Sequence, residues 1–552
     1  MNEFVSYLNG LHNYNAQNQN AYGERNIESP YYAKTMVHIE VCDYIISAIN
    51  NNDPHIIILT GHAGDGKTSI MFQVLEQLGA SPSFSESIHE VYTEDGKTIC
   101  CIKDFSELSD DKKLKTLSEV LQYPSQGKYV FMVANTGPLI NTFGGLFGDD
   151  ESDSAKMVLI DAMDSNDGAI KSILGYEMIV INVASIENTG FAKSFLENII
   201  SDDLWESCKH CSKRDYCHIF NNYNLIVENK DRISEFIEYF YIYQMEYGKR
   251  LTIRSMSEHI AYMITGGDDC IDIKPELLHE KLFPNLFFGY EGLISNPLSE
   301  NVLAVRLAKE SGLFLRRLRA DEELLIRRNY QFLFGETVNE IINNIDSITK
   351  MRKEFDDELR RMYLFLSIAS EEQHTKDIED LFSKQFKPYI SVRNYGTKPT
   401  KLQKNLVIDA LRMIYLGTVI SNNNIIPITM SAESGLTQSV QLIAGTLNTG
   451  DIELISKSDS ELNKGRNNLI LRIKKKDVCI LTLPMVDHFE ELKNGVISTN
   501  MDPQLSRGIE NMKARLLELA DEDNDKLEYL VMSNKGFTES AISIENGIVT
   551  LQ

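Results

Sequence analysis

Up to about residue 200 the chain alternates two hydrophobic patterns: short unbroken apolar runs, and stretches in which apolar residues recur every three or four positions. The runs His55–Thr60, Thr98–Ile102, Tyr129–Ala134 and Met178–Val183 have strand length. Ile70, Met71, Val74, Leu75 and Leu78 instead fall at helical spacing and stop at Gly79. Strands separated by helix-spaced segments predict a doubly wound α/β core that ends near residue 200.

Beyond that point the pattern changes. An aromatic stretch with helical spacing (Phe236, Ile237, Tyr239, Phe240, Tyr241, Tyr243) precedes Leu251–Gly267. There Thr252 reads as an N-cap, apolar residues recur at helical spacing, and Gly266 and Gly267 end the run. Residues 291–390 read as mostly helical, with Arg306, Arg316, Arg317, Arg319, Arg327, Arg328, Arg352, Arg360 and Arg361 set among leucines. A solvated helix face is the expectation for these arginines, and Arg316, Arg317 and Arg319 are the ones to test for contact with nucleic acid or a neighbouring subunit. From about residue 400 helix and strand are mixed. Leu469–Ile473 and Val478–Leu483 bracket Lys474–Asp477 as a hairpin, and Ile542–Val549 carries an Asn546-Gly547 turn.

A length of 552 residues suits roughly three or four domains of about 150 residues, so the α/β core accounts for only part of the chain. With 43% hydrophobic and 24% charged residues, the composition is that of a folded protein without low-complexity bias. The formal net charge of -25 works against a broad grip on a phosphate backbone, so DNA is expected to be contacted locally or through a partner. No apolar run reaches the ~18 residues of a membrane span, and Met1–Glu24 lacks the apolar core of a signal peptide. A cytoplasmic protein with no membrane partner is expected.

The first strand runs directly into Gly61-His62-Ala63-Gly64-Asp65-Gly66-Lys67-Thr68-Ser69, which matches G-x-x-x-x-G-K-[ST]. At this spacing the glycines let backbone N–H groups turn inward around phosphate oxygens, Lys67 reaches the β/γ-phosphates, and the Thr68 hydroxyl ligates Mg²⁺. Gly61, Gly64, Asp65, Gly66, Lys67, Thr68 and Ser69 are therefore the expected ATP and Mg²⁺ site. A magnesium-holding carboxylate belongs at the end of a later strand, and Asp104 is the first candidate, with Glu107 nearby. Phe105 occupies the place where many ATPases carry a catalytic glutamate, which predicts slow or partner-dependent turnover. Val158–Asp161 is the alternative strand end, in an acidic segment that reads equally well as an exposed helix. Asn135 follows the third strand as a candidate γ-phosphate or water contact of the sensor-1 kind, or as a simple turn residue. Arg254, in the first turn of a helix, sits where the helix dipole disfavours it, and a lid arginine reaching the γ-phosphate would account for that.

Cys208, Cys211 and Cys217 have the spacing of a metal knuckle, in which a tight turn converges two thiolates and a short loop returns a third. The fourth ligand is open: His218 directly follows Cys217 and would bind only with strained geometry, His210 lies inside the knuckle, and Cys270 is a remote candidate. Zinc is the expected ion and an iron–sulfur cluster the alternative. With only eight cysteines in the chain, the remainder read as reduced thiols rather than a disulfide framework.

The expected architecture is an α/β P-loop NTPase core of AAA/STAND-like type over 1–200, a Cys-cluster and helical lid over 201–290, a helical region over 291–400, and a C-terminal α+β docking or regulatory domain over 401–552. The Gly61–Thr68 loop, the Asn135-Thr136-Gly137 strand tip, the cysteine cluster and the Arg254 helix, in that order, resemble the DptF family, the ATPase-like component of DNA phosphorothioation-dependent restriction. The resemblance covers roughly residues 30–290. It implies an ATPase that acts with partner proteins of a restriction module on DNA lacking the sulfur modification, as a monomer or an oligomer, and it carries over Lys67 and Thr68 as nucleotide ligands. A nucleotide-dependent switch or scaffold of STAND type, binding ATP with little turnover, is the alternative.

Overall fold

The computed structural model describes residues 1–11, 29–80, 87–147, 149–348, 352–368, 370–417, 424–430, 440–463, 465–496, 501–521, 526–533, 536–545 and 548–551. The chain divides into two compact units, Met1–Asp377 with Ser460–Lys464, and Ile378–Asp459 with Gly465–Gln552. The segments expected at 1–200, 201–290 and most of 291–400 thus share the first unit.

In the first unit a six-stranded sheet has the order β2-β3-β4-β1-β6-β5, with β1 Ile56–Thr60, β2 Ile88–Tyr92, β3 Thr98–Ile102, β4 Lys128–Val133, β5 Lys171–Ile173 and β6 Tyr176–Asn182. The four inner strands are parallel and the two edges antiparallel. Because side chains alternate across a strand, the unbroken apolar runs supply two cores. Ile57, Leu59, Ile99, Phe131, Ile179 and Ile181 pack on one face with helices α1 (Val41–Asn51) and α2 (Lys67–Gln77). Ile56, Ile58, Ile102, Val130, Met132 and Val180 pack on the other with α3 (Asp110–Val120), α4 (Thr136–Gly145) and α5 (Asp149–Ser165). This is the α/β core the sequence predicts. The acidic stretch containing Val158–Asp161 lies within α5, so it is a helix and not a strand end.

Helices α6 (Asp202–Lys209), α7 (His218–Glu228), α8 (Lys230–Glu246) and α9 (Ile253–Thr265) follow the sheet. Thr252 caps α9 by accepting from the Ser255 N–H, and Gly266, at φ 61°, ends it, as its sequence predicts. The region beyond is mostly helical apart from a short hairpin, β7 (Tyr290–Glu291) with β8 (Ile294–Ser295).

The expectation of a solvated arginine face fails at two positions. The Arg361 side chain, 1% exposed, donates from Nε to Asn285 Oδ1 (2.9 Å) and from Nη2 to the Gly292 carbonyl (2.8 Å), and stacks over Tyr290. Arg360 binds both carboxylate oxygens of Asp321 (3.2 and 3.0 Å). Partners distant in sequence engage both guanidinium groups, so helical spacing alone misplaces them. Arg317 and Arg319 are exposed, as expected, and Arg316 donates to the Tyr243 hydroxyl at 3.2 Å.

The second unit holds a five-stranded antiparallel sheet, order β16-β15-β14-β10-β9, and a three-stranded sheet, β11-β12-β13. The strands are β9 Ile425–Met430, β10 Val440–Asn448, β11 Ile452–Ser458, β12 Asn467–Ile473, β13 Lys476–Ile480, β14 Lys526–Ser533, β15 Gly536–Glu545 and β16 Ile548–Leu551. Ile473 pairs with Lys476, and Lys474 and Lys475 have φ of 48° and 66°, the left-handed pair that a two-residue hairpin turn needs. The Asn546-Gly547 turn lies outside the described residues, although the flanking Glu545 and Ile548 pair as a hairpin requires. Among the described residues, no helix is long and apolar enough to cross a membrane.

Candidate functional site

The chain passes from β1 outward to β3, returns to β4 between them, and then crosses β1 to β6. Such a reversal opens a crevice at the carboxyl ends of the strands, where side chains of several loops can surround one ligand. The loops here are tied together. The Asn135 N–H donates to Ser106 Oγ (2.7 Å), Thr60 Oγ1 and Thr136 Oγ1 are 2.9 Å apart, and a Cβ on Gly61 would lie 3.2 Å from the Ala184 nitrogen.

The Gly61–Thr68 loop occupies this crevice. Gly64 (φ 88°) and Gly66 (φ 86°) need glycine for two reasons, backbone conformation and space, since a Cβ would meet Thr252 Oγ1 at 3.1 Å and Ile253 Cδ1 at 2.9 Å respectively. Gly66 is also the N-cap of α2, and no side chain caps that end. The helix's first N–H groups and its positive dipole end are therefore uncapped by any side chain, an arrangement suited to an anion.

Two loop residues are engaged with the loop itself. The Asp65 carboxylate, wholly buried, accepts from the His62 N–H (2.7 Å) and pairs with Arg250 Nη2 (3.0 Å). These bonds hold the carboxylate against the loop's own backbone and Arg250. Lys67 Nζ donates to the His62 carbonyl at 2.6 Å. Burial holds its ammonium below the ordinary value; Arg250 and Arg254 lower it further, while Asp65 and Asp104 oppose them. Arg254 and Asp104 are thus each within electrostatic reach of Lys67. Thr68 lies in the first turn of α2, and the Ser69 side chain is hydrogen-bonded with the Tyr32 hydroxyl.

Asp104 stands just beyond β3 as the N-cap of a short 3-10 turn, half-buried, with Lys103 Nζ 3.9 Å from its carboxylate. Glu107 closes that turn and is exposed. Asn135 is the exposed N-cap of α4. The first turn of α9 rests on the loop: the Arg254 N–H donates to the Gly64 carbonyl at 3.3 Å.

Arg250 is a site residue the sequence does not reveal. Its guanidinium joins Asp65 to the carbonyls of Val183 and Ala184, bridging the glycine loop and the end of β6. A basic residue just before a helix cap carries no local signal of such a role. Arg250→Ala leaves a buried carboxylate unpaired, and denaturant unfolding should show a loss of about 3 kcal/mol, partly recovered by Arg250→Lys.

In the cysteine segment, Cys208 lies in the last turn of α6 and Cys211 and Cys217 stand on either side of a 3-10 turn (Arg214–Tyr216). All are free thiols. His218 is fully buried, with Nε2 3.2 Å from the Thr265 carbonyl and 3.3 Å from Asp268 Oδ2. As placed, no three His, Cys, Asp or Glu side chains among the described residues are grouped to hold a metal ion.

The chain matches no family model, no curated protein and no solved structure.

Proposed function

We propose that the Gly61–Thr68 loop binds the phosphates of ATP with Mg²⁺, and that the chain is the ATPase component of a bacterial DNA restriction complex, coupling nucleotide turnover to a partner nuclease or helicase. The observation that carries the nucleotide reading is the meeting of an uncapped helix end, a buried lysine and the Arg254 turn in a crevice at the carboxyl ends of the parallel strands. The restriction setting rests on the resemblance to the DptF family.

In this reading the N–H groups of the loop and of α2 take the phosphate oxygens, and Lys67 leaves the His62 carbonyl for the β/γ-phosphates. Thr68 and Asp104 would hold a magnesium ion, which would supply neutralisation of charge on the transferring phosphoryl group. Arg254, carried on a helix anchored to Gly64, lies where a lid would read the γ-phosphate. Asn135 and Glu107 orient water. A switch that binds ATP with little turnover is favoured by one observation: Phe105, directly after Asp104, is buried in the core and leaves no acid at that position.

Phosphate release distinguishes the two. The ATPase reading expects slow release by the purified chain, faster with duplex DNA and partner proteins, and a decrease of about 100-fold in Glu107→Gln with ATP binding retained. ATP binding without phosphate release in every condition would leave the switch.

A further inference from the structure

The remote Cys270 lies beside the cysteine knuckle, brought there by the loop that follows α9. Asn2 shows the juxtaposition: its Nδ2 donates to Cys208 Sγ at 3.3 Å, and its backbone carbonyl faces Cys270 Sγ at 3.9 Å. The Cys270 loop is held by groups from both sides. Lys213, inside the knuckle, donates to the Cys270 carbonyl at 3.0 Å. From the N-terminal helix Glu3–Gly10, Ser6 Oγ donates to Asp269 Oδ1 (3.0 Å) and Asn9 Nδ2 to the Asp268 carbonyl (2.8 Å). Lys281 and His218 both approach Asp268.

We propose that Cys208, Cys211, Cys217 and Cys270 form a closed four-thiolate site for a zinc-type divalent ion, with Cys270 and not His218 as the fourth ligand.

Three arguments support it. Backbone turns close the cysteine segment step by step: the Cys211 N–H donates to the Cys208 carbonyl (3.1 Å), the Arg214 N–H to the Cys211 carbonyl (3.2 Å) and the Cys217 N–H to the Arg214 carbonyl (3.4 Å), so three thiols share one tightly turned stretch, and Cys270 joins it across Asn2. The Asn2 amide already supplies the N–H···S bond that a metal-bound thiolate accepts from its surroundings. His218 Nε2 is engaged with Thr265 and Asp268, which suits it to anchoring the end of α9; its Nδ1 is buried without a partner and makes it the rival ligand. The thiols are not grouped around one point as placed, so loading turns their side chains inward. Four protein ligands leave no open position, so the ion is structural and staples the N-terminal helix, α6, the knuckle and the loop after α9.

The full chain, purified under reducing conditions, should carry about one zinc per chain. Cobalt exchanged into the wild type should give the intense sulfur-to-metal charge transfer of four thiolates in tetrahedral geometry. Cys270→Ser should lose the ion on desalting with a chelator, while His218→Gln retains it. If Cys270→Ser fails to fold, the cobalt spectrum and a mercurial titration of zinc release, both on wild type, decide alone. A folded wild type without metal, iron with labile sulfide, a Cys208–Cys270 disulfide, or loss of metal in His218→Gln with retention in Cys270→Ser would each overturn the proposal.

Discussion

Lys67→Ala should weaken ATP binding by about 10- to 100-fold in calorimetric titration, since a hydrogen bond to a charged group contributes roughly 1.5–3 kcal/mol. The effect on folding should be small. Lys67 Nζ bonds a carbonyl of its own loop, and that carbonyl sits on His62, which is exposed and open to water. A variant that unfolds like wild type, within about 1 kcal/mol, yet loses ATP would assign the loss to the cradle. Unchanged ATP affinity would remove the loop from the nucleotide reading altogether.

The largest stability effect is expected far from the loop. Arg361→Ala removes a guanidinium that satisfies Asn285 and the Gly292 carbonyl, lies over Tyr290 at 4.3 Å and Phe314 at 5.2 Å, and offsets the buried Glu358. Asn285 Nδ2 in turn donates to Glu358 at 2.8 Å, so the deletion disturbs a whole buried network. A cost of about 3–5 kcal/mol in the first unit follows, read by denaturant unfolding. Arg317→Ala, on an exposed side chain nearby in sequence, should change stability by no more than about 0.5 kcal/mol. Equal effects in the two variants would contradict the burial described here. Arg361→Lys should not rescue, because one ammonium cannot reproduce the flat fork that serves two acceptors and two rings.

These two residues mark the border of what the sequence makes legible. The β1 strand, the glycine loop and α2 are contiguous, and each needs only neighbouring residues: an apolar run, positive-φ glycines, a helix-spaced face. The same holds for the Thr252 cap, the Gly266 stop and the Lys474-Lys475 turn. Arg361, by contrast, reads like Arg317 because its partners at positions 285 and 292 come from another part of the chain. Arg250 is hidden for the same reason, since its purpose appears only once β6 and the loop adjoin. The sequence places Asp65 in the loop, and only the fold shows its carboxylate tied to the His62 N–H and Arg250. Cys270 lies more than fifty residues from the knuckle, so the sequence can offer it only as one of several fourth ligands and the fold supplies the proximity.

Phe105 has a bearing on how this backbone can change over evolutionary time. It is fully buried among Leu117, Phe143 and their neighbours, immediately after Asp104. A glutamate substituted there would place an unpaired charge inside a packed apolar cluster, so no single replacement can install an acid at that point without undoing the core. On the ATPase reading, the acid that orients water must then come from another position, as Glu107 would two residues on, and residue 105 is closed to that use.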